Sequence, residues 1–248
     1  MTKDETAVNE VRFARALDEY LGNEHKRYNI GTLCEGTLHM VLKYFICPDM
    51  AYHEVPVDGY IADVLQGDVI TEIQTRDFRN LRDKLEAFLP LHKVNVVYPI
   101  AYVKRICKID KNSGEISKPR KSPRKGRATD VLPELFYIKE HLGNPNLSVQ
   151  LCFLEITEYK YDNPKRRGRT VRYDRVPTAY VSQMSVGKGE YSKLLPPELP
   201  EEFTAKDFSK HSGLCGMNLS SAIKTLCECG AVTRIGKNGR AYVYKIND

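Results

Sequence analysis

Two carboxylates stand at spacings that suit a divalent metal ion. They lie in the run YIADVLQGDVITEIQT, residues 60–75. Side chains alternate faces along a strand, so Asp63 shares a face with Ile61 and Leu65, and Glu72 shares a face with Gln74. If Gln66–Asp68 closes a hairpin, Asp63 comes to lie near Glu72 across the ladder. Two carboxylates and the Ile73 carbonyl then offer hard oxygen ligands. Mg²⁺ takes such sets, with one or two carboxylates completed by water and substrate phosphates. Upstream, Glu35 and His39 are spaced i, i+4 on one side of a predicted helix, and Lys43 continues the row. Glu35 could hold a metal-bound water there and His39 could meet a phosphate. The same row also fits a plain solvent-facing stripe.

Elements of the right kind surround these residues. Apolar periodicity predicts helices over 5–21 (Val8, Val11, Ala14, Leu17 and Leu21 on one side), over 31–45 (Leu38, Val41, Leu42 and Phe45) and over 77–89 (Phe78, Leu81, Leu85 and Phe88). Residues 59–65 and 69–75 read as the two hairpin strands. Lys93–Ile106 reads as a strand interrupted near Pro99, and Leu147–Tyr159 as another. The order helix, hairpin, helix, strand predicts a mixed α/β sheet with helices packed on it.

This arrangement resembles the PD-(D/E)XK nuclease superfamily, the restriction-endonuclease-like fold. Its pattern is an acidic residue late in one strand, then Glu-x-Lys on the next, after a helix that often carries Glu. The matching residues are Asp63, Glu72 and Gln74, with Glu35 on the preceding helix; the resemblance covers about residues 28–106. It implies that Asp63, Glu72 and the Ile73 carbonyl hold Mg²⁺, with Mn²⁺ as a substitute. Gln74 would orient the attacking water and Glu35 would support the metal shell. The family's lysine position is occupied by Gln74, and a neutral amide orients water only through hydrogen bonds. Lys43 is a candidate for the missing cation. A literal Pro48-Asp49 also exists, in a predicted loop; the hairpin geometry favours Asp63.

The charge pattern points to a polyanion. The 248 residues carry 38 Lys and Arg against 32 Asp and Glu, a net charge of +6. The excess concentrates in KPRKSPRKGR (118–127), with six basic residues and no acid, and KRRGRTVRYDR (165–175), with six basic residues and one acid. Both read as exposed loops that attract phosphate backbones. The nucleic-acid contacts expected there are Lys118, Arg120, Lys121, Arg124, Lys125, Arg127, Arg166, Arg167 and Arg169. No apolar run approaches the ~20 residues needed to cross a bilayer, and the first residues lack a signal-peptide pattern. Seven cysteines at irregular spacing argue for reduced thiols and a cytoplasmic location.

Three prolines within 194–202, LLPPELPEE, predict a linker between a nuclease-like domain (1–193) and a small domain at 203–248. The latter resembles a winged helix. Thr204 with Asp207 makes a capping-box start for a short helix, and Gly213–Met217 a turn. Asn218 is read as the N-cap of a second helix ended by Gly230, and two strands flank Lys237-Asn238-Gly239-Arg240. The resemblance implies DNA contacts from Ser220, Ser221, Lys224 and Thr225 on the second helix and from Lys237 and Arg240 on the wing. A role in protein docking alone is the competing reading.

The leading expectation is therefore a metal-dependent nuclease that hydrolyses DNA phosphodiester bonds. The alternative is a non-catalytic DNA-binding regulator with a silent nuclease-like site. An RNA-directed enzyme is a third reading. No membrane partner is expected, and the oligomeric state is open, a homodimer included.

Overall fold

The computed structural model describes residues 3–23, 36–110, 113–162 and 169–247. In chain order it forms α1 (Lys3–Asn23), α2 (Thr37–Ile46), β1 (His53–Val57), β2 (Tyr60–Gln66), β3 (Val69–Ile73), α3 (Leu81–Phe88), β4 (Lys93–Lys108) and β5 (Arg120–Lys121). There follow α4 (Leu132–Leu135), β6 (Leu147–Asp162), β7 (Thr170–Gly187), β8 (Glu202–Thr204), α5 (Ala205–Ser212), α6 (Gly216–Glu228), β9 (Val232–Asn238) and β10 (Ala241–Ile246). This is a mixed α/β fold with one large mixed sheet, ordered β1-β2-β3-β4-β6-β7 with β5 on β4, and a three-stranded sheet ordered β8-β10-β9. Two compact units share the chain: residues 1–53, 99–126 and 152–183, and residues 54–98, 127–151 and 184–248. No described helix is long and apolar enough to cross a membrane.

The first unit packs α1 and α2 through Phe13, Phe45 and Tyr180, whose rings lie 5.5–6.2 Å apart. The predicted core stripe of α1 is on the wrong side of the helix. Val8, Val11 and Leu21 are exposed and Ala14 faces solvent, whereas Asn9, Phe13, Ala16 and Tyr20 are buried. One large ring, Phe13, outweighs the smaller aliphatics, and Asn9 is accommodated by a hydrogen bond to the Tyr180 hydroxyl. In α2 the expected core residues Leu38, Val41, Leu42 and Phe45 are all buried. Lys43 is fully buried as well, so the polar row does not face solvent there.

The second unit holds the hairpin. Asp58 (φ 47) and Gly59 (φ 82) form a two-residue turn from β1 into β2, an Asp-Gly pair of the type that favours tight hairpins. Sequence reasoning passed over β1. Gly67 (φ 63) then takes the first turn position between β2 and β3. The β2–β3 register pairs Val64 with Thr71 and Gln66 with Val69. After β3 the chain crosses through α3 and returns as β4, parallel to β3, with Ile73 opposite Val97. Phe78, Leu81, Leu85 and Phe88 are all buried.

Pro99 does not interrupt β4, which runs unbroken for 16 residues. The Val97 carbonyl accepts from Gln74 N–H on the β3 side. Pro99, two residues on, turns its missing donor to that same edge after β3 has ended, so no ladder bond is lost. The 165–175 stretch also departs from the loop reading. Residues 163–168 lie outside the described residues, but β7 begins at Thr170. The alternating Thr, Val and Tyr of a strand were hidden beneath the arginines.

At the C-terminal end, Thr204 caps α5 through a reciprocal capping box with Asp207, as expected. Asn218 is not the cap of α6; that helix starts earlier, with Cys215 at the N-cap and Asn218 inside its first turn. Gly216, at φ 56, opens it. Gly230 follows α6 in the left-handed region, and Ala231 N–H donates to the Leu226 carbonyl, closing a Schellman turn.

Candidate active site

Continuing the β2–β3 register by one step sets Asp63 opposite Glu72, on the face they were expected to share. The regular ladder stops at Val64 and Thr71, and side chains take over beyond it. The Asp63 carboxylate accepts Ile73 N–H at 2.7 Å, and Asp63 N–H reaches the Glu72 carboxylate at 3.4 Å. Neighbouring strands are thus joined by two carboxylates where backbone carbonyls would otherwise serve. The N–H and C=O of one strand residue leave on the same edge, so the Ile73 carbonyl also lies on the Asp63 side.

Glu72 is fully buried, and Asp63 is half-buried. Burial, with the neighbouring Asp63 charge adding to it, pushes the Glu72 carboxyl up to about 7, against the opposing pull of Lys84. Lys84, from the second turn of α3, spans the site. Its ammonium donates to Glu72 at 2.8 and 3.1 Å and to the Ile61 carbonyl at 2.7 Å. The helix carrying it is fixed at its start by Asp77, which caps the preceding 3₁₀ turn, and by Glu134, which accepts Phe78 N–H at 3.3 Å. Gln74 is half-buried, and its backbone N–H continues the pairing with β4.

Asp63, Glu72 and Lys84 therefore converge: two acids side by side and a cation on the more buried one. Among the described residues no group of three or more His, Cys, Asp and Glu could hold a metal ion. The donor set here is a carboxylate pair with a backbone carbonyl on the same edge, a set that Mg²⁺ completes with water and phosphate oxygens. A buried carboxylate whose charge is this costly is also one that a divalent ion would relieve.

Glu35 lies outside the described residues. The literal Pro48-Asp49 is a turn: the Asp49 side chain accepts Ala51 N–H at 2.9 Å and caps a 3₁₀ turn.

Residues 36–187 match the family model described as "Domain of unknown function (DUF8091)". The chain belongs to that family. An "Uncharacterized protein" of Treponema pallidum (strain Nichols) is 29% identical over 221 residues, which cover 87% of each chain. No solved structure matches. The DUF8091 match takes in Asp63, Glu72, Gln74 and Lys84 and the 118–127 segment, and it ends with β7.

The basic residues of the DUF8091 region are placed more firmly than loops would be. Lys118, Arg120, Lys121, Arg124 and Lys125 are exposed, but their backbone is bound to β4. β5 pairs with Arg105 and Ile106, Ser122 N–H donates to the Lys104 carbonyl, and Gly126 N–H donates to the Ala101 carbonyl at 3.0 Å. A Cβ on Gly126 would fall 2.6 Å from the Ala101 oxygen. The Lys125 ammonium lies 3.8 Å from the Tyr102 ring centre. Arg127 has a different task. Its guanidinium donates to the His211 carbonyl at the C-terminal end of α5, where cations are favoured. Arg169 is exposed; Arg166 and Arg167 lie outside the described residues.

On α6, Ser220 and Lys224 are exposed and Ser221 is half-buried. Thr225 is not available to a ligand, for it is fully buried and its hydroxyl lies between the Ser221 carbonyl of its own helix at 2.9 Å and the Leu132 carbonyl at 3.2 Å. Lys237 and Arg240 are exposed at the β9–β10 hairpin.

Lys84 is the residue that sequence reasoning missed. The available signal was its place one position before Leu85, at the border of the apolar stripe of the helix that directly follows β3. A cation on the flank of that stripe reaches back over the strand end.

Proposed function

We propose that the protein is a metal-dependent nuclease acting on nucleic-acid phosphodiester bonds, with Asp63, Glu72 and Lys84 as its reactive centre. The observation that carries this reading is the convergence of two carboxylates from adjacent strands with a lysine ammonium from the crossover helix. The order α2, β2, β3, α3 and β4 supports it, because the restriction-endonuclease-like resemblance carries the same succession of helix, two adjacent strands, helix and strand. Residues 202–247, with two helices followed by a hairpin, support the winged-helix reading of the C-terminal part.

Asp63 and Glu72, with the Ile73 carbonyl, would hold Mg²⁺ or Mn²⁺. The ion when bound lowers the pKa of a bound water and neutralises charge on the phosphate. The remaining work falls to the chain. Lys84 carries the positive charge that Gln74 lacks, at a point from which it can turn from Glu72 to a phosphate oxygen. Gln74 orients water through its amide, and Asp63 holds the two strand ends together through Ile73 N–H. The test is cleavage of plasmid, linear, branched and single-stranded DNA, and of RNA, with and without divalent metal. Cleavage only with metal is the expected result.

A second reading, a DNA-binding regulator with a silent site, draws on the same ion pair. Lys84 already neutralises Glu72, and no second lysine stands at position 74. Metal-independent binding with no cleavage of any substrate would select it.

A further inference from the structure

Glu158 of β6 is almost fully buried, yet three cations from three strands meet on it. Arg172 of β7 donates its Nε at 2.7 Å, Lys160 of β6 stands at 3.5 Å, and Lys104 of β4 stands at 3.5 Å from the other oxygen. One carboxylate neutralises one of the three. A surface formed only to be soluble would spread these charges; here a buried acid gathers them. Burial alone would raise the Glu158 carboxyl, but the three cations hold it below the usual carboxylate range, so it stays charged. Arg172 meets Glu158 through Nε, and the side chains of Lys104, Lys160 and Arg172 are all partly exposed. The adjoining charged groups include Arg105, paired with Glu155, and Lys108, 3.6 Å from Asp162. The exposed Arg120, Lys121, Arg124 and Lys125 stand on the segment bound along the same strand, β4.

We propose that Lys104, Lys160 and Arg172, held together by Glu158, form a phosphate-binding subsite for the backbone of a nucleic acid. This deepens the substrate side of the nuclease reading and rests on it only for the identity of the polyanion. The subsite is preorganised: the carboxylate fixes the cations before the ligand arrives, so less side-chain entropy is lost on binding. Nucleic acid fits better than a membrane surface, because the cationic side chains line strands across β4, β5, β6 and β7 instead of flanking an apolar insertion helix.

The test is fluorescence anisotropy of the full chain with a short labelled duplex and a labelled single strand, in EDTA, across a salt series. Lys104→Gln with Arg172→Gln is expected to weaken binding about tenfold and to shallow the log–log salt slope by about one to two. A control of equal charge loss, Lys93→Gln with Lys245→Gln, is expected to change affinity less than about twofold. Thermal unfolding checks that each variant folds. If the double variant does not, the single variants Lys104→Gln and Lys160→Gln take its place, each with an expected loss of about threefold. Equal effects in the test and control pairs would overturn the subsite, and so would binding to phosphatidylserine vesicles with none to nucleic acid. Because metal is absent, failure of cleavage would leave the subsite standing. Intact cleavage with unchanged binding in the variants would remove the subsite alone.

Discussion

The Lys84 ammonium lies 2.8 Å from the fully buried Glu72 carboxylate, and so ties the crossover helix α3 to the strand β3. A cation there does two things. It offsets the desolvation of Glu72, and it places a positive charge beside the carboxylate pair.

Replacing Lys84 is the most direct check of its role. Lys84→Ala is expected to lower the metal-dependent cleavage rate about 10²–10³-fold, the usual effect of losing one electrostatic group at a reacting phosphate. Adding Gln74→Lys to Lys84→Ala should restore part of the rate, because both positions adjoin the same pair. A cleavage assay comparing the two variants decides it: equal inactivity would remove Lys84 from the chemistry.

Asp63→Asn and Glu72→Gln are each expected to abolish metal-dependent cleavage while leaving DNA affinity in EDTA unchanged or slightly raised. Each removes a metal ligand and also a negative charge facing phosphate. Parallel cleavage and anisotropy measurements separate the effects. An equal loss of both would mean that the residues are structural.

Glu72 should also leave a mark on stability. Its folded pKa is raised from 4.5 to about 7, so protonation favours the folded state. The contribution is complete below about 4.5 and is lost as pH rises through about 7. Glu72→Gln should flatten this dependence, because the amide has no proton to lose in that window. Thermal unfolding against pH reads this out; identical profiles would show that Glu72 is not strained. In the wild type, Mg²⁺ should bind more tightly as pH rises through the same window, with proton release visible by calorimetry in buffers of different ionisation heat.

Gly126→Ala should cost about 1–3 kcal/mol, the usual price of forcing extra volume into a close contact. The added Cβ would sit 2.6 Å from a backbone oxygen, which cannot turn aside as a side chain can. Denaturant unfolding measures it. A neutral substitution would show that the segment from Arg120 to Gly126 is not held on β4 in solution.

The hairpin was legible because its signals are local. Strand parity placed Asp63 and Glu72 on one face, and the Gly67 turn fixed which residues stand opposite. The helix of Phe78, Leu81, Leu85 and Phe88 was equally plain, since all four are buried. What failed depended on packing at long range. The core face of α1 is set by Phe13 meeting Phe45 and Tyr180, partners distant in sequence, so the aliphatic stripe misled. β7 was masked because Arg172, which reads as a loop cation, is drawn to Glu158, a residue 14 positions away that gives no sign of it in its own neighbourhood. Lys84 escaped for a similar reason: a lysine on a helix reads as solvated until its carboxylate is known.

The Thr225 hydroxyl of α6, shared between the Ser221 carbonyl of its own helix and the Leu132 carbonyl of α4, reaches across 93 residues of chain. Leu132, Leu135, Ala222 and Leu226 are all fully buried. Neither helix can therefore fray without uncovering the other, and α4, at four residues, has no stability to hold itself. Their amide protons should exchange with solvent as one cooperative group, with matched protection from helices that the sequence sets far apart. A partner that grips α6 would thus be felt at residues 132–135 as slower exchange, whether or not it touches them.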